Sequence, residues 1–129
     1  MSENKIINDL AIQVATVNGS GSQSANNIII KTLFRMGIPV GGKNIFPSNI
    51  AGLPTWFNIR ANKFGYVARK KEVDIVVAMN QDTIDEDIMT LRSSGVVIYN
   101  SDLKLAETTK RDDIVWYPVP FSTLAKENF

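Results

Sequence analysis

The chain has 129 residues with no Cys and no His, 14 basic and 13 acidic residues, a net charge of +1, and 44% hydrophobic residues. That size suits one domain, residues 1–129. The missing residue types exclude thiolate-held iron–sulfur clusters, the common zinc sites, a nucleophilic Cys and an imidazole base, and no metal site is expected. The start "MSENKIINDL" lacks the basic and apolar regions of a secretion signal, and no run of about 18 apolar residues appears, so the expected location is cytoplasmic with no membrane partner.

The small net charge hides a segregation. From Leu10 to Lys71 there is no acid, while Lys31, Arg35, Lys43, Arg60, Lys63, Arg69, Lys70 and Lys71 give +8; the other six cations share the rest of the chain with all 13 acids, a net of −7. A positive face of this kind attracts phosphates or an acidic partner, or is simply a solvated surface. Nothing in it points to nucleic acid.

In chain order, "LAIQVATV" (10–17) is apolar and β-branched with one interior Gln, the pattern of a strand covered on both faces. The next segment places Ala25, Ile28, Ile29, Leu33 and Met36 at helical spacing, starts among Ser and Asn, and stops at Gly37 before Ile38-Pro39. "IPVGGKNIF" (38–46) reads as a second strand and "PSNIAGLPTW" (47–56) as a loop. "FNIRAN" (57–62) and "YVARK" (66–70) look like short strands joined in a hairpin-like excursion through Lys63-Phe64-Gly65. "VDIVVAM" (73–79) is the clearest buried strand, and "QDTIDEDIMTLRSS" (81–94) an acidic helix ended by Gly95. Strands at 95–100 and 113–119 follow, then a helix from "STLAKENF" capped by Ser122. Alternation of apolar strands with helices predicts an α/β fold, three-layer α/β/α with a mainly parallel, Rossmann-like sheet. The C-terminal part of the sheet near Trp116 and Tyr117 is expected to lack cover on one face.

The candidate binding site is the turn "NGSGSQS" between the first strand and helix. Gly19 and Gly21 let the backbone turn and approach a ligand, while the helix amides carry partial positive charge. Ser20, Ser22, Gln23 and Ser24 add neutral hydrogen-bonding groups, and Lys43 and Arg60 are the cations assigned to the same anion. A dinucleotide fingerprint is incomplete, because Ser24 replaces its third Gly and no carboxylate follows within about 20 residues to hold a ribose. A Walker loop is excluded by the absence of Gly-Lys-Ser/Thr. A purely structural turn remains the other reading. Trp56 and Phe57 fit core or interface anchors, and Arg60, inside a strand, needs either a salt-bridge partner or an anion. No convergent catalytic set is visible.

Together, "VNGSGSQSANNIIIKTLFRMG" and "GKNIFPSNIAGLPTWFNIRANKFGYVARKKEVDIVVAMN" resemble the gamma domain of 2-oxoacid:ferredoxin oxidoreductases, in the form that begins a fused gamma-alpha subunit. The resemblance implies a noncatalytic gamma module of a complex that oxidatively decarboxylates a 2-oxo acid such as pyruvate or 2-oxoglutarate, forms acyl-coenzyme A and sends electrons to ferredoxin. It places thiamine diphosphate and the iron–sulfur clusters on partner domains, the alpha and beta parts of the enzyme. To this chain it leaves subunit interface and the approach of coenzyme A (CoA). The family loop Gly-x-Gly-Gly-Gln-Gly is matched at Gly19, Gly21 and Gln23, with Ser22 and Ser24 as departures. Family members continue beyond the position of Phe129, which implies a gamma-type domain truncated at its C-terminus. The alternative reading is a free-standing phosphate- or nucleotide-binding Rossmann-like module.

Overall fold

A computed structural model describes residues 9–17, 20–45, 52–65 and 72–128. Six strands, β1 (Asp9–Val17), β2 (Val40–Ile45), β3 (Pro54–Asn62), β4 (Val73–Ala78), β5 (Leu91–Asn100) and β6 (Val115–Val119), form one sheet in the order β2-β3-β1-β4-β5-β6. β1, β4, β5 and β6 run parallel, while β3 lies antiparallel between β1 and β2. The sheet is thus mostly parallel, as expected, with an antiparallel flank on the side of β1 away from β4. The excursion after the first helix returns alongside β1 through β3, and the expected strand at 66–70 lies outside the described residues. Pro54–Trp56, read from sequence as loop, opens β3, where a first-position Pro costs no ladder bond.

Helix α1 (Ser22–Arg35) packs on β2 and β3 on one face of the sheet. On the other face lies α2 (Ile84–Met89), against β4 and β5. α2 is shorter than the expected 81–94 helix because Leu91, only 2% exposed, joins the sheet beside Val73 instead of continuing the turn. Gly95 is therefore not a helix stop. A Cβ there would meet the Arg92 carbonyl oxygen at 2.8 Å and Leu91 at 2.9 Å, so only Gly passes the irregularity, next to Ser94 at φ 67°. The last helix, α3 (Phe121–Asn128), starts one residue before Ser122, which is inside it and does not cap it.

Two clusters make the core. Beneath α2, Val76, Ala78, Ile84, Ile88, Leu91 and Val97 are buried, with Tyr99 and Trp116 packed at the edge. Trp116 meets Tyr99 edge-on at 5.8 Å and donates its indole N–H to the Arg111 carbonyl, so it is not part of the uncovered surface; Tyr117, 56% exposed, is. Arg111 itself closes this side. Its guanidinium donates to the Ile88 and Leu91 carbonyls and grips Asp113, whose carboxyl is lowered to about 2 by that contact and by Ser93.

Beneath α1, Val14, Phe57 and Ile59 are buried, with Ile12, Ile30, Leu33, Val40 and Val77 around them. The inward face of α1 is Asn26, Ile30 and Leu33, a departure from the sequence-based face, since Ile28 is 64%, Ile29 37% and Met36 68% exposed. The reason is the seat on β2. Gly42 has no room for a Cβ, which would lie against the end of Ile30 and 2.8 Å from the Phe57 ring, so the helix settles with Ile30 over that Gly. Gly42→Val is expected to lower unfolding free energy by roughly 1–3 kcal/mol through overpacking, measured by urea denaturation. An unchanged midpoint would show that α1 does not rest on Gly42.

Candidate functional site

The turn after β1 opens a cleft at the sheet end where β1 finishes and β3 starts. Gly21 caps α1 at φ 79°, a left-handed conformation that Gly adopts freely, and no side chain caps the helix. No acid stands in the first turn, so its amide end is electrostatically uncompensated by side chains. A cavity of about 250 Å³ adjoins it, lined by Thr16, Val17, Gly21, Ser22, Gln23, Asn26, Asn44, Thr55, Trp56 and Phe57. The lining holds no charged side chain. Its polar groups are fixed by one another: Thr16 and Ser22 hydroxyls lie 2.9 Å apart, Asn44 donates to Gln23 at 3.4 Å, and Thr55 donates to Asn44 at 3.3 Å. Such a cleft can accept hydrogen-bonding oxygens at a helix terminus without offering a counter-charge.

Of the residues assigned from sequence, the structure brings Gly21, Ser22 and Gln23 to this cleft; Ser20 precedes it, Ser24 lies in the first turn of α1, and Gly19 is outside the described residues. Lys43 and Arg60 are not brought there. Lys43 is exposed on β2, opposite Asn58, so its side chain leaves the sheet on the face away from α1. Arg60 pairs with Ala11 near the start of β1, the opposite end from the turn. Its guanidinium is an ion-pair partner of Asp9 at 2.5 Å and donates to the Leu10 and Ala61 carbonyls. The salt-bridge reading of Arg60 is the one the geometry supports. Among the described residues, the buried side-chain atoms without a hydrogen-bond partner are Arg60 Nε and both amide atoms of Asn58, two residues apart on the same face of β3. No group of three or more Asp or Glu gathers in a metal-holding arrangement among the described residues, and no described helix is long and apolar enough to cross a membrane.

A second polar centre escaped the sequence reading. Asp87 of α2 is 2% exposed, and its carboxylate accepts from Trp56 Nε1 at 2.8 Å, Thr83 Oγ1 at 2.7 Å and Gln13 Nε2 at 3.4 Å. It joins α2 to β3 and β1, and it lines a cavity of about 260 Å³ with Gln13, Ile45, Trp56, Glu86 and Thr90. Trp56 is the residue that borders both cavities. The interior Gln13 of an apolar strand was its one legible sign.

Burial raises the Asp87 carboxyl above its ordinary value of 3.8, and the Thr83 and Trp56 hydrogen bonds oppose that shift. The folded chain thus holds this proton more tightly than the unfolded chain, and the contribution to stability falls as pH rises from 3.8 through the raised value. Asp87→Asn is expected to flatten that part of the stability profile, measured by urea unfolding across acid to neutral pH. Asp87→Ala is expected to cost roughly 1–3 kcal/mol by leaving the Trp56 and Thr83 donors unpaired. An identical pH profile for wild type and Asp87→Asn would contradict the assignment.

Known proteins resemble this arrangement over almost the whole chain. The family model described as pyruvate ferredoxin/flavodoxin oxidoreductase matches residues 11–129. A curated relative, subunit alpha of 2-oxoacid:ferredoxin oxidoreductase 2 from Aeropyrum pernix, is 26% identical over 96 residues, which are 74% of this chain and 15% of that protein. Among solved structures, the 2-oxoglutarate:ferredoxin oxidoreductase of Magnetococcus marinus, determined with 2-oxoglutarate, coenzyme A and succinyl-CoA bound, superposes with a TM-score of 0.82 at 25% identity, covering 95% of this chain and 22% of that one. The gamma subunit of a keto/oxoacid ferredoxin oxidoreductase from Geobacter sulfurreducens shares the fold with a TM-score of 0.73 at 17% identity, covering 92% of this chain and 66% of that subunit. The chain therefore spans less than a quarter of the curated relative and of the Magnetococcus protein. With a family model matched from residue 11 to residue 129, and a fold shared with the gamma subunit from Geobacter, this chain belongs to the pyruvate ferredoxin/flavodoxin oxidoreductase family.

Proposed function

We propose that this chain is the noncatalytic gamma module of a 2-oxoacid:ferredoxin oxidoreductase complex, and that the cleft at the start of α1 faces CoA. The observation that carries the reading is the likeness of nearly the whole chain to an oxidoreductase solved with CoA and succinyl-CoA bound. The chemistry of the chain is consistent with a supporting role. It has no Cys with which to hold an iron–sulfur cluster and no His to serve as a base, so the alpha and beta parts would carry thiamine diphosphate and the clusters. Ferredoxin would receive electrons from those parts.

For CoA itself, the residues present fit one phosphate or one amide of the pantetheine arm. Gly21, Ser22 and Gln23 offer backbone donors at a helix N-terminus, with Ser20 and Ser24 adjacent, in a volume too small for the whole molecule. Lys43 and Arg60, away from the cleft, would add only to the positive field of the acid-free segment. Each such contact contributes about 0.3–1 kcal/mol when exposed, so binding to the separate module should be weak and should fall with added salt.

Titrating the labelled chain with CoA, dephospho-CoA and NAD while following amide shifts at residues 20–26 tests this. The expected result is movement with CoA and little with NAD. A Cβ on Gly21 would meet no protein atom within 4 Å, so a side chain there enters the opening. Gly21→Val should abolish the shifts, and Gly21→Asn, which tolerates positive φ, should do so without backbone strain. Equal response to NAD would favour a free-standing nucleotide-binding module. No response would leave the turn a structural one and the CoA reading wrong.

A further inference from the structure

The inward stripe of α1 runs through Asn26, Ile30 and Leu33, the spacing of one helix face, and Ile30 and Leu33 pack on the cluster of Val14, Phe57 and Ile59. Asn26 breaks the stripe. It is 4% exposed where an apolar residue would continue the packing, and Asn is a weak helix former whose side chain competes for backbone groups. Its amide carries two donor hydrogens and an acceptor oxygen, yet it makes no side-chain hydrogen bond to any described residue. A buried amide left unpaired is costly to the fold. This one lines the cleft at the start of α1.

The groups that share the cleft with Asn26 are mostly donors. Of the first-turn amides of α1, that of Ser24 donates to the Gly21 carbonyl at 3.3 Å, which leaves those of Ser22 and Gln23. The Gln23 side-chain oxygen accepts from Asn44, and the Asn44 oxygen accepts from Thr55. Among the side-chain amides of the lining, Asn26 Oδ1 is therefore the acceptor left free, while Gln23 Nε2 remains a donor. Val17, Trp56 and Phe57 add apolar lining to the same cavity of about 250 Å³.

Donors beside one free amide acceptor match a carbonyl and an N–H carried by the same group. A phosphate matches less well. No charged side chain lines the cleft, Lys43 and Arg60 lie elsewhere, and an anion that took the Asn26 N–H groups would set its oxygens against Oδ1, which has no proton to give. We infer that the cleft takes an uncharged secondary amide on an aliphatic chain, its carbonyl toward the free α1 amides and its N–H toward Asn26 Oδ1, and that Asn26 selects this group over phosphate. The inference rests on the reading that the cleft faces CoA, and it names the pantetheine arm as the part that enters. NAD carries phosphates too, so a phosphate site would not separate the two ligands; the arm does.

The labelled full chain is titrated with pantetheine, with the phosphorylated adenosine half of CoA that lacks the arm, and with N-methylacetamide, while the backbone amides of Ser22 and Gln23 and the side-chain amide of Asn26 are followed. Pantetheine and N-methylacetamide are expected to shift all three, and the adenosine half to leave Asn26 unmoved. Binding of uncharged pantetheine should not change with salt, whereas CoA, whose phosphates feel the positive field, should weaken. Asn26→Leu, which completes the apolar stripe, should bind pantetheine about tenfold more weakly and unfold at higher urea. Unchanged pantetheine binding by Asn26→Leu, or a lower urea midpoint that marks Asn26 as a residue of the fold, would overturn the inference. Shifts with CoA and its adenosine half but not with pantetheine would make this a phosphate site, rejecting the inference while keeping the CoA reading. Shifts with N-methylacetamide but with neither pantetheine nor CoA would reject the CoA reading while keeping the amide site. No shift with any of them would overturn both.

Discussion

One helix cannot cover a six-stranded sheet. Two apolar rows that cross β3, β1, β4, β5 and β6, one from Ile59 to Val115 and the other from Phe57 to Tyr117, demand cover along their whole length, and α1 supplies it only at one end. Burial of apolar surface is the dominant favourable term in folding, so Val115 and Tyr117, 46% and 56% exposed, mark the end of these rows that α1 leaves open to water. The position of α1 decides where that end begins, and Gly42 decides the position of α1.

The two faces of the sheet are held by different means. On the α1 face the helix rests on Gly42 and on apolar side chains of β1 and β3. On the other face α2 is tied by directional bonds: Asp87 to Trp56, Thr83 and Gln13, and Arg111 to the Ile88 and Leu91 carbonyls. Trp56 relates the two sides, since its indole N–H serves Asp87 while the residue also borders the cleft at the start of α1. The cleft and the Asp87 network are therefore physically adjacent, although Asp87 on α2 lies well after β1, α1, β2 and β3 in the chain.

Much of this was legible in the sequence. Leu10–Val17 and Val73–Met79 declare themselves as strands because parallel strands buried on both faces have no polar alternation to confuse with helix. The turn at Gly21 was equally plain, as only a tight strand-to-helix passage needs such a residue there. The orientation of α1 was not legible: Ile28, Ile29 and Ile30 are consecutive, so the apolar arc is wide enough to admit two faces, and a glycine on a different strand selects between them. Nor could Asp87 be separated from Asp82, Asp85 and Glu86, because its burial depends on Trp56 and Gln13, which approach only after β3 inserts between β1 and β2. Lys43 and Arg60 were drawn to the turn by charge alone, and strand direction placed them elsewhere.

The central claim is that the cleft where α1 begins faces CoA in the complex proposed for this chain. Hydrogen–deuterium exchange of the chain alone, with CoA and with NAD tests it most directly. Protection gained at residues 20–26 with CoA, and little with NAD, is the expected result. Equal protection by NAD, or none with CoA, would contradict it.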